Sequence, residues 1–333
     1  VVRLVDRDGF AARRAASEAA GKLRGLGISS FLETSRGAPQ EGAEINFRKD
    51  GQIELRVGTE SNGQGHETSY KQIAADRLGL PMEAFHYIQA DTREIRIGFG
   101  HGGARSMHMG GGAMVRAIDE ALEKAKLIAA RLLQTEHTEL TFAEGKFTVL
   151  STGQTVSLAN LVTEAGDAEL DTFVFNEDVP FTFPNGCQAA EVEIDPETGA
   201  VELMRYIAVD DYGNLVNPML TVGQVQGGLV QGIGQALGED CTYDTDSGQL
   251  LAGSMMDYWL PRASQLPDLE IHLEGTPTKA NPLGVKGSGQ AGCIGAPQTV
   301  VHAVLDALST YGVDEIDMPI TSESVWQLIR AGS

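Results

Sequence analysis

The 333-residue sequence contains only three cysteines, Cys187, Cys241 and Cys293, and no two of them form a C-x-x-C pair. We therefore expect no disulfide framework, no cysteine-bound zinc and no iron–sulfur cluster within this chain. An H-E-x-x-H motif, a P-loop and a G-x-S-x-G motif are also missing. Nothing in the sequence therefore predicts a zinc protease, a phosphate-loop NTPase or an α/β-hydrolase.

Basic residues and long apolar runs are scarce too. Lys and Arg number 25 against 46 Asp and Glu, which gives a formal net charge of −21. Such a field repels phosphate backbones and anionic lipids, so nucleic-acid and membrane-surface binding are not expected. No apolar run reaches the roughly 18 residues of a membrane span. No signal peptide is visible, and we expect a cytoplasmic location.

Glycine, in contrast, is abundant, at 40 of 333 residues, against a usual share of about 7%. Many positions therefore need a positive φ or a close approach of two backbones. Helical and strand patterns are mixed without repeated βαβ units, and the length suffices for two domains. We predict an α+β fold of two interlocked mixed α/β domains, at residues 1–170 and 171–333.

Local patterns predict the individual elements. Helices are expected at 10–25, 66–80, 113–134 and 157–166, after Pro218, and from about Ala296. Strands are expected at 53–60 and 85–91, with a hairpin at 140–150 and a β-ribbon at 186–211. The Met- and aromatic-rich segment 253–263 is predicted to be core. Asp210 and Asp211, at the end of the ribbon, are interpreted as a solvated acidic turn rather than a metal pair.

The segment Gly287–Gly292, GSGQAG, is a literal G-x-G-x-x-G. A dinucleotide-binding turn should follow a buried strand directly and open straight into a helix. Here the preceding residues are a proline-broken loop, and Pro297 suggests that the helix starts several residues later. NAD binding is therefore disfavoured, and a tight structural loop is one remaining interpretation.

The segment 223–240 combines glycines with glutamines. If it is a helix, Gly223, Gly227, Gly234 and Gly238 share one face, and Gln224, Gln231 and Gln235 share an adjacent one. Each interior glycine costs about 1 kcal/mol relative to alanine. Two reasons for that cost stay open: close packing of another helix, or a flat ligand such as a pterin or nucleobase bound by the amides.

Two further loops have the composition of anion-binding sites. Gly63-Gln64-Gly65-His66 lies between a strand and a helix, whose first backbone amides would hold an oxo group or phosphate well. His66 itself is more often a cap or a surface residue than a metal ligand. The loop 98–112 places Arg105 and Ser106 among clustered glycines just before the long helix.

Five segments together carry a family resemblance: GTESNGQGHETSYKQIAADRLGLP, GGARSMHMGGGA, VDDYGNLVNPMLTVGQVQGGLVQGIGQALGED, GSMMDYWLPRA and PLGVKGSGQAGCIGAPQTVVHAVLDAL. In this order they resemble the C-terminal part of the molybdenum-binding large subunit of the xanthine dehydrogenase, aldehyde oxidase and aerobic carbon monoxide dehydrogenase family. The family's N-terminal half has no counterpart here. The chain resembles either a fragment or one polypeptide of a split subunit, as in some bacterial nicotinate dehydrogenases.

The resemblance implies a molybdopterin cofactor, in its cytosine dinucleotide form, with the metal held by the pterin dithiolene and by no protein side chain. Gln64 would lie by the pterin near the metal, and Gln231, with Gln224 as a second candidate, would hydrogen-bond the pterin ring. Loop positions that would contact the cofactor or its phosphates are Gly65, Gly103, Ala104, Arg105, Ser106 and Gly289. Partners are implied as well: the N-terminal half, an iron–sulfur subunit with [2Fe–2S] clusters and an FAD subunit, assembled as a dimer of heteromers.

The resemblance also identifies a departure at Gln290. The family's loop reads G-x-G-E-A-G, and its glutamate is the general base of a hydroxylation that takes its oxygen from water. An amide cannot act as that base near neutrality, although it can orient a hydroxyl or a substrate. Three explanations stay open: an engineered substitution, a natural enzyme with another base or an acidic substrate, or an inactive paralogue. The implied function is a hydroxylase subunit acting on an N-heteroaromatic or aldehyde-type molecule; the alternative is a catalytically silent assembly subunit.

Overall fold

The computed structural model describes residues 1–166 and 168–332. Its helices are α1 (Phe10–Ala19), α2 (His66–Leu78), α3 (Gly112–Leu133), α4 (Leu158–Glu164), α5 (Pro218–Leu237), α6 (Ala291–Leu308) and α7 (Ser322–Ala331). Its strands are β1 (Leu23–Leu32), β2 (Glu41–Phe47), β3 (Ile53–Val57), β4 (Phe85–Ile88), β5 (Leu140–Ala143), β6 (Lys146–Val149), β7 (Thr155–Ser157), β8 (Thr172–Asn176), β9 (Asn185–Ile194), β10 (Val201–Asp211) and β11 (Leu269–Leu273). The predicted mixture of α and β structure is confirmed. Among the described helices, none combines the length and the apolar character needed to cross a membrane.

Two sheets each support a hydrophobic core. One has the order β4-β3-β2-β8 and packs against α3, and the small sheet β5-β6-β7 adds to the same core. The other has the order β1-β9-β10-β11 and packs against α6, which also packs on α5. Strand β1 precedes the first core in the chain but pairs with β9, whereas β8 follows residue 170 and pairs with β2. The chain thus crosses between the cores, and the domain boundary near residue 170 remains a prediction.

The predicted hairpin and ribbon are both confirmed. β5 and β6 pair antiparallel across a two-residue turn, and β9 and β10 pair antiparallel with Ile194 opposite Val201. The predicted helix at 157–166 is present as α4, and it is capped by Ser157, whose Oγ accepts a hydrogen bond from the Asn160 backbone N–H at 3.2 Å. Local sequence signals decide these elements because their pairing partners are close in the chain.

Two predicted helix boundaries are wrong. The first helix ends at Ala19 rather than at Gly25, because residues 23–32 form β1 beneath α6. A Cβ at Gly25 would lie 1.9 Å from Ala303 O, and one at Gly27 would lie 2.0 Å from Thr299 O, so these glycines permit close helix–sheet packing. Helix α6 begins at Ala291, and Pro297 lies inside it.

The predicted core position of segment 253–263 is also wrong. Met255 and Met256 are 81% and 92% exposed. They lie on a tight turn in which the Tyr258 N–H donates to Ser254 O at 2.9 Å. Because the turn closes on itself, its apolar side chains point outward.

Candidate functional site

The glycine-rich segments, although distant in the sequence, meet at one cleft, a cavity of about 540 Å³. Its lining residues come from segments 62–69, 101–107, 212–224 and 285–290. Of the sequence-predicted residues, the cleft brings together Gln64, Gly103, Ala104, Ser106, Gln224, Gly289 and Gln290. Gly65, Arg105 and Gln231 are not among its lining residues.

The loop before α2 forms one wall. Gly65 has a φ of +76° and caps the helix, and a Cβ there would lie 2.8 Å from the Leu220 side chain of α5. Its lack of a side chain therefore lets this loop approach the opposite wall. Gln64 Oε1 accepts the Asn62 backbone N–H at 2.8 Å, which orients the amide. His66 is buried, and burial and the nearby His101 lower its pKa to about 4, so the imidazole is neutral at physiological pH.

Arg105 holds the loop 98–112 from behind. Its fully buried guanidinium pairs with Glu41 and donates to the carbonyl oxygens of Gly100, at 2.8 Å, and Ala38, at 3.2 Å. The side chain is thus occupied away from the cleft. Next to it, Ala104, at a φ of +54°, and Ser106 line the cleft. Arg105 therefore acts on the cleft through the shape of its loop.

The surroundings of α5 decide between the two interpretations of its glycines, which are close helix packing and ligand contact. Gly228 and Gly232 face α6, where a Cβ would lie 3.0 Å from Cys293 N and 2.6 Å from Ala296 Cβ respectively. Close helix packing is therefore present, through glycines other than Gly223 and Gly227, around which a Cβ would have open space. Gln224 lines the cleft and donates to Gly289 O, whereas Gln231 is exposed further along the helix.

The segment 285–290 closes the site. Gly287 N–H donates to Ser35 Oγ at 3.1 Å, and a Cβ at Gly287 would lie 2.3 Å from Ala104 O, so two cleft loops touch here through bare backbone. Gln290 lies at the cleft as the residue before α6. Although α6 opens immediately after the loop, contrary to the argument from Pro297, the preceding strand β11 ends at Leu273. The strand–turn–helix arrangement of a dinucleotide site is therefore not formed.

Two buried carboxyl groups lie behind this loop. Asp210 is 1% exposed, so its interpretation as part of a solvated turn is wrong; burial raises its pKa to about 6. Its neighbour Asp211 is held by Lys286 at 2.7 Å. Glu33, two residues before Ser35, is buried beside Gln290. Sequence patterns missed Glu33 because a single glutamate after a strand carries no local signal of burial.

The donor set of the cleft suits a polar heterocycle with phosphate groups. Its polar surface combines amide side chains, the Ser106 hydroxyl, a neutral imidazole and backbone of the glycine loops. Within residues 1–166 and 168–332, no three His, Cys, Asp or Glu side chains are grouped to hold a metal ion. The buried Nδ1 of His66 lacks a hydrogen-bond partner in the described chain, which leaves one polar atom ready for a ligand.

Comparison with known proteins agrees with this geometry. The family described as "Molybdopterin cofactor-binding domain" matches residues 1–267. The carbon monoxide dehydrogenase large chain of Hydrogenophaga pseudoflava is 32% identical over 99% of this chain and 44% of its own length. The nicotine 6-hydroxylase large subunit of Paenarthrobacter nicotinovorans is 34% identical over 97% of this chain and 42% of its own.

A solved structure shows the same fold. Quinoline 2-oxidoreductase from Pseudomonas putida 86 superposes with a TM-score of 0.91 at 33% identity, over 99% of this chain and 44% of that chain. The chain thus spans less than half the length of the relatives that it matches.

Proposed function

This chain belongs to the family of the molybdenum-binding large subunits of xanthine dehydrogenase, aldehyde oxidase and carbon monoxide dehydrogenase, and on that premise we propose that its cleft binds a molybdopterin for the hydroxylation of a small molecule. The observation that supports the proposal is the meeting of four distant loops at one cleft lined by amides and bare backbone. When bound, the cofactor, which we propose to be the cytosine dinucleotide form, would supply the two-electron redox chemistry. Since the described residues offer no metal cluster, the pterin rather than side chains would carry the metal.

The roles of the lining residues follow from their positions. Gln64 and Gln224 would donate to and accept from the edge of the pterin, because amides pair with both donors and acceptors. The turn Gly103–Ala104, with Ser106, would bind phosphate oxygens through N–H and O–H groups. Gln231, exposed outside the cleft, would contact the cofactor only where it extends along α5.

Gln290 would orient a hydroxyl or the substrate and would not remove a proton from it. Its amide has no proton that titrates near neutrality, so its carbonyl oxygen serves as a hydrogen-bond acceptor for a hydroxyl or for a substrate N–H. An N-heteroaromatic substrate fits this role, and two of the relatives are named for nicotine and quinoline. We further propose that the remaining half of the subunit, an iron–sulfur subunit and an FAD subunit complete the enzyme, as a dimer of heteromers.

The substitution Gln290→Glu tests the function. In the assembled protein, we expect kcat/KM for an N-heteroaromatic substrate, normalised to molybdenum content, to rise by about 10² or more, the usual contribution of a general base. Gln290→Met, which has a similar shape and no amide, should lower it. Lack of pterin in the wild-type assembly would contradict the proposal.

A silent assembly subunit is the second candidate, and Gln290 is the observation that favours it. This alternative predicts bound pterin with no turnover of heteroaromatic or aldehyde substrates by either the wild type or Gln290→Glu. Turnover by the wild type excludes it.

A further inference from the structure

Three titratable residues are buried behind the loop 285–290: Glu33, Asp210 and Tyr212, which we call the acidic cluster. They are 7%, 1% and 2% exposed. Glu33 follows β1, Asp210 lies near the end of β10, and Tyr212 reaches the cleft as one of its lining residues. The cluster therefore reaches the cleft through Tyr212.

The carboxyl of Glu33 has an unusual environment for a buried charge. Neither of its oxygens has a partner in full hydrogen-bonding geometry among the described residues. Burial raises its pKa, and the side-chain amide of Gln290, lying beside it, opposes that rise. Gln290 is thus the polar neighbour that favours the ionised form, which requires its N–H group to point toward the carboxyl.

Asp210 and Tyr212 form the rest of the cluster and are hydrogen-bonded to each other. Tyr212 OH donates to Asp210 Oδ2 at 2.8 Å, while the buried Oδ1 lacks a partner in the described chain. Burial and the charges of Asp210 and Glu33 raise the pKa of the Tyr212 phenol. Of these two groups, Tyr212 lies near enough to Glu33 to feel its charge, and Gln290, the residue before α6, lies beside Glu33 and carries no charge.

A purely structural role does not explain Glu33. Elsewhere in this chain a buried glutamate is paired with arginine: Glu41 with Arg105, and Glu191 with Arg13 and Arg24. Leaving a buried carboxyl unpaired costs stability, and such groups cluster at functional clefts. The contrast within one molecule indicates that Glu33 is kept for a task other than packing.

We propose that Glu33 is the positioning residue of Gln290: its carboxylate accepts a hydrogen bond from Gln290 Nε2–H, and this turns Gln290 Oε1 into the cleft as a fixed acceptor. When Glu33 is protonated it becomes a donor to Oε1, and the amide turns its N–H groups into the cleft instead. The effect on turnover rests on the proposed function, but the contact between the two side chains does not.

Stability measurements test the contact without any cofactor chemistry. Gln290→Glu would place a second carboxyl beside Glu33, so at neutral pH we expect the unfolding temperature of the assembled protein to fall by about 1 °C, which corresponds to about 1 kcal/mol for a chain of this length. In the Glu33→Gln background the same substitution should cost nothing, because the amide introduced at position 33 can donate to the new carboxylate. Equal shifts in both backgrounds would overturn the proposal.

The pH dependence provides a second readout. A carboxyl whose pKa is raised on folding contributes stability below its unfolded pKa, and that contribution is lost as the pH rises through its folded pKa. Glu33→Gln should therefore raise the unfolding temperature at neutral pH but not at acid pH. Asp210→Asn is the matched control: it should show the same pH-dependent gain, yet no coupling to Gln290→Glu, since Asp210 contacts Tyr212 instead. Destabilisation by Glu33→Gln at both pH values would show a structural residue and overturn the proposal.

Turnover separates this inference from the proposed function. Glu33→Gln should lower kcat/KM about fivefold, the difference between a charged and a neutral hydrogen bond. It should also remove the acidic limb of the pH profile of kcat/KM.

The increase in kcat/KM caused by Gln290→Glu should be at least about tenfold larger when residue 33 is glutamine, since one pKa unit is a factor of ten. Additive effects, within about twofold, in an active pterin-loaded enzyme would refute the positioning role alone. A pterin-free assembly would refute the proposed function, and the stability cycle would still decide the contact.

Discussion

Arg105 illustrates how one residue can shape a cleft that its side chain does not face. Its guanidinium is fully buried and fastens the segments around Ala38 and Gly100 to Glu41. A planar fork of donors can satisfy a carboxylate and several carbonyls at once, which a lysine cannot. The loop that carries Ala104 and Ser106 is therefore held in shape before any ligand binds.

Removal of this guanidinium should leave Glu41 buried and unpaired. For Arg105→Met we expect a loss of about 3–5 kcal/mol in the free energy of unfolding, measured by denaturant titration. Adding Glu41→Gln should recover part of that loss. Arg93→Met, which removes an 88% exposed partner of Asp91, is the control and should change nothing measurable. A similar small effect at both arginines would contradict this account of Arg105.

Part of the candidate site could be predicted from the sequence, and part could not. The cleft loops were predictable because their glycines and amides occur as linear motifs, and the family resemblance places them in one site. The burial of Glu33 and Asp210 could not be predicted, because it depends on contacts between separate segments: Ser35, two residues after Glu33, accepts from the Gly287 N–H, and Asp210 packs beside Gly186. A linear pattern cannot show which end of a strand another loop will cover.

At the scale of elements, the packing of α5 on α6 connects the second core to the cleft. Val225, Leu229 and Ile233 are buried along one side of α5, and Gly228 and Gly232 lie beside them where α6 crosses. The glycine count predicted close packing or ligand contact, but the helical face was misassigned. The apolar residues, rather than the most regularly spaced glycines, determine which face is buried.

Two alanine substitutions on α5 should therefore change the free energy of unfolding in opposite directions. Gly232→Ala would place a Cβ 2.6 Å from Ala296 Cβ and 2.9 Å from Pro297 Cδ, and overpacking of about 1–3 kcal/mol should outweigh the gain in helix propensity. Gly227→Ala meets no atom within 4 Å and should stabilise the helix by up to about 1 kcal/mol. Chemical unfolding of this chain measures both, and stabilisation by Gly232→Ala would disprove the close packing.

At the scale of the whole molecule, two features support the proposal that the chain works within an assembly. It spans 44% of the carbon monoxide dehydrogenase large chain and 42% of the nicotine 6-hydroxylase large subunit, although each match covers nearly all of this chain. It also exposes Met255 and Met256 on the turn that sequence patterns assign to a core. Exposed methionines adapt well to a partner surface.

Cofactor loading should depend on the rest of the subunit. The relatives are more than twice as long as this chain. We therefore expect this polypeptide to bind the proposed cofactor stably only together with the remaining half of the subunit. Purified alone, it should contain little or no molybdenum by elemental analysis and little pterin by fluorescence after oxidation. Co-expressed with that half, it should approach one molybdenum per chain, and the Gly65→Leu variant, whose side chain would collide with Leu220, should lose it. Stoichiometric metal in the isolated chain would show instead that the four loops described here suffice to hold the cofactor.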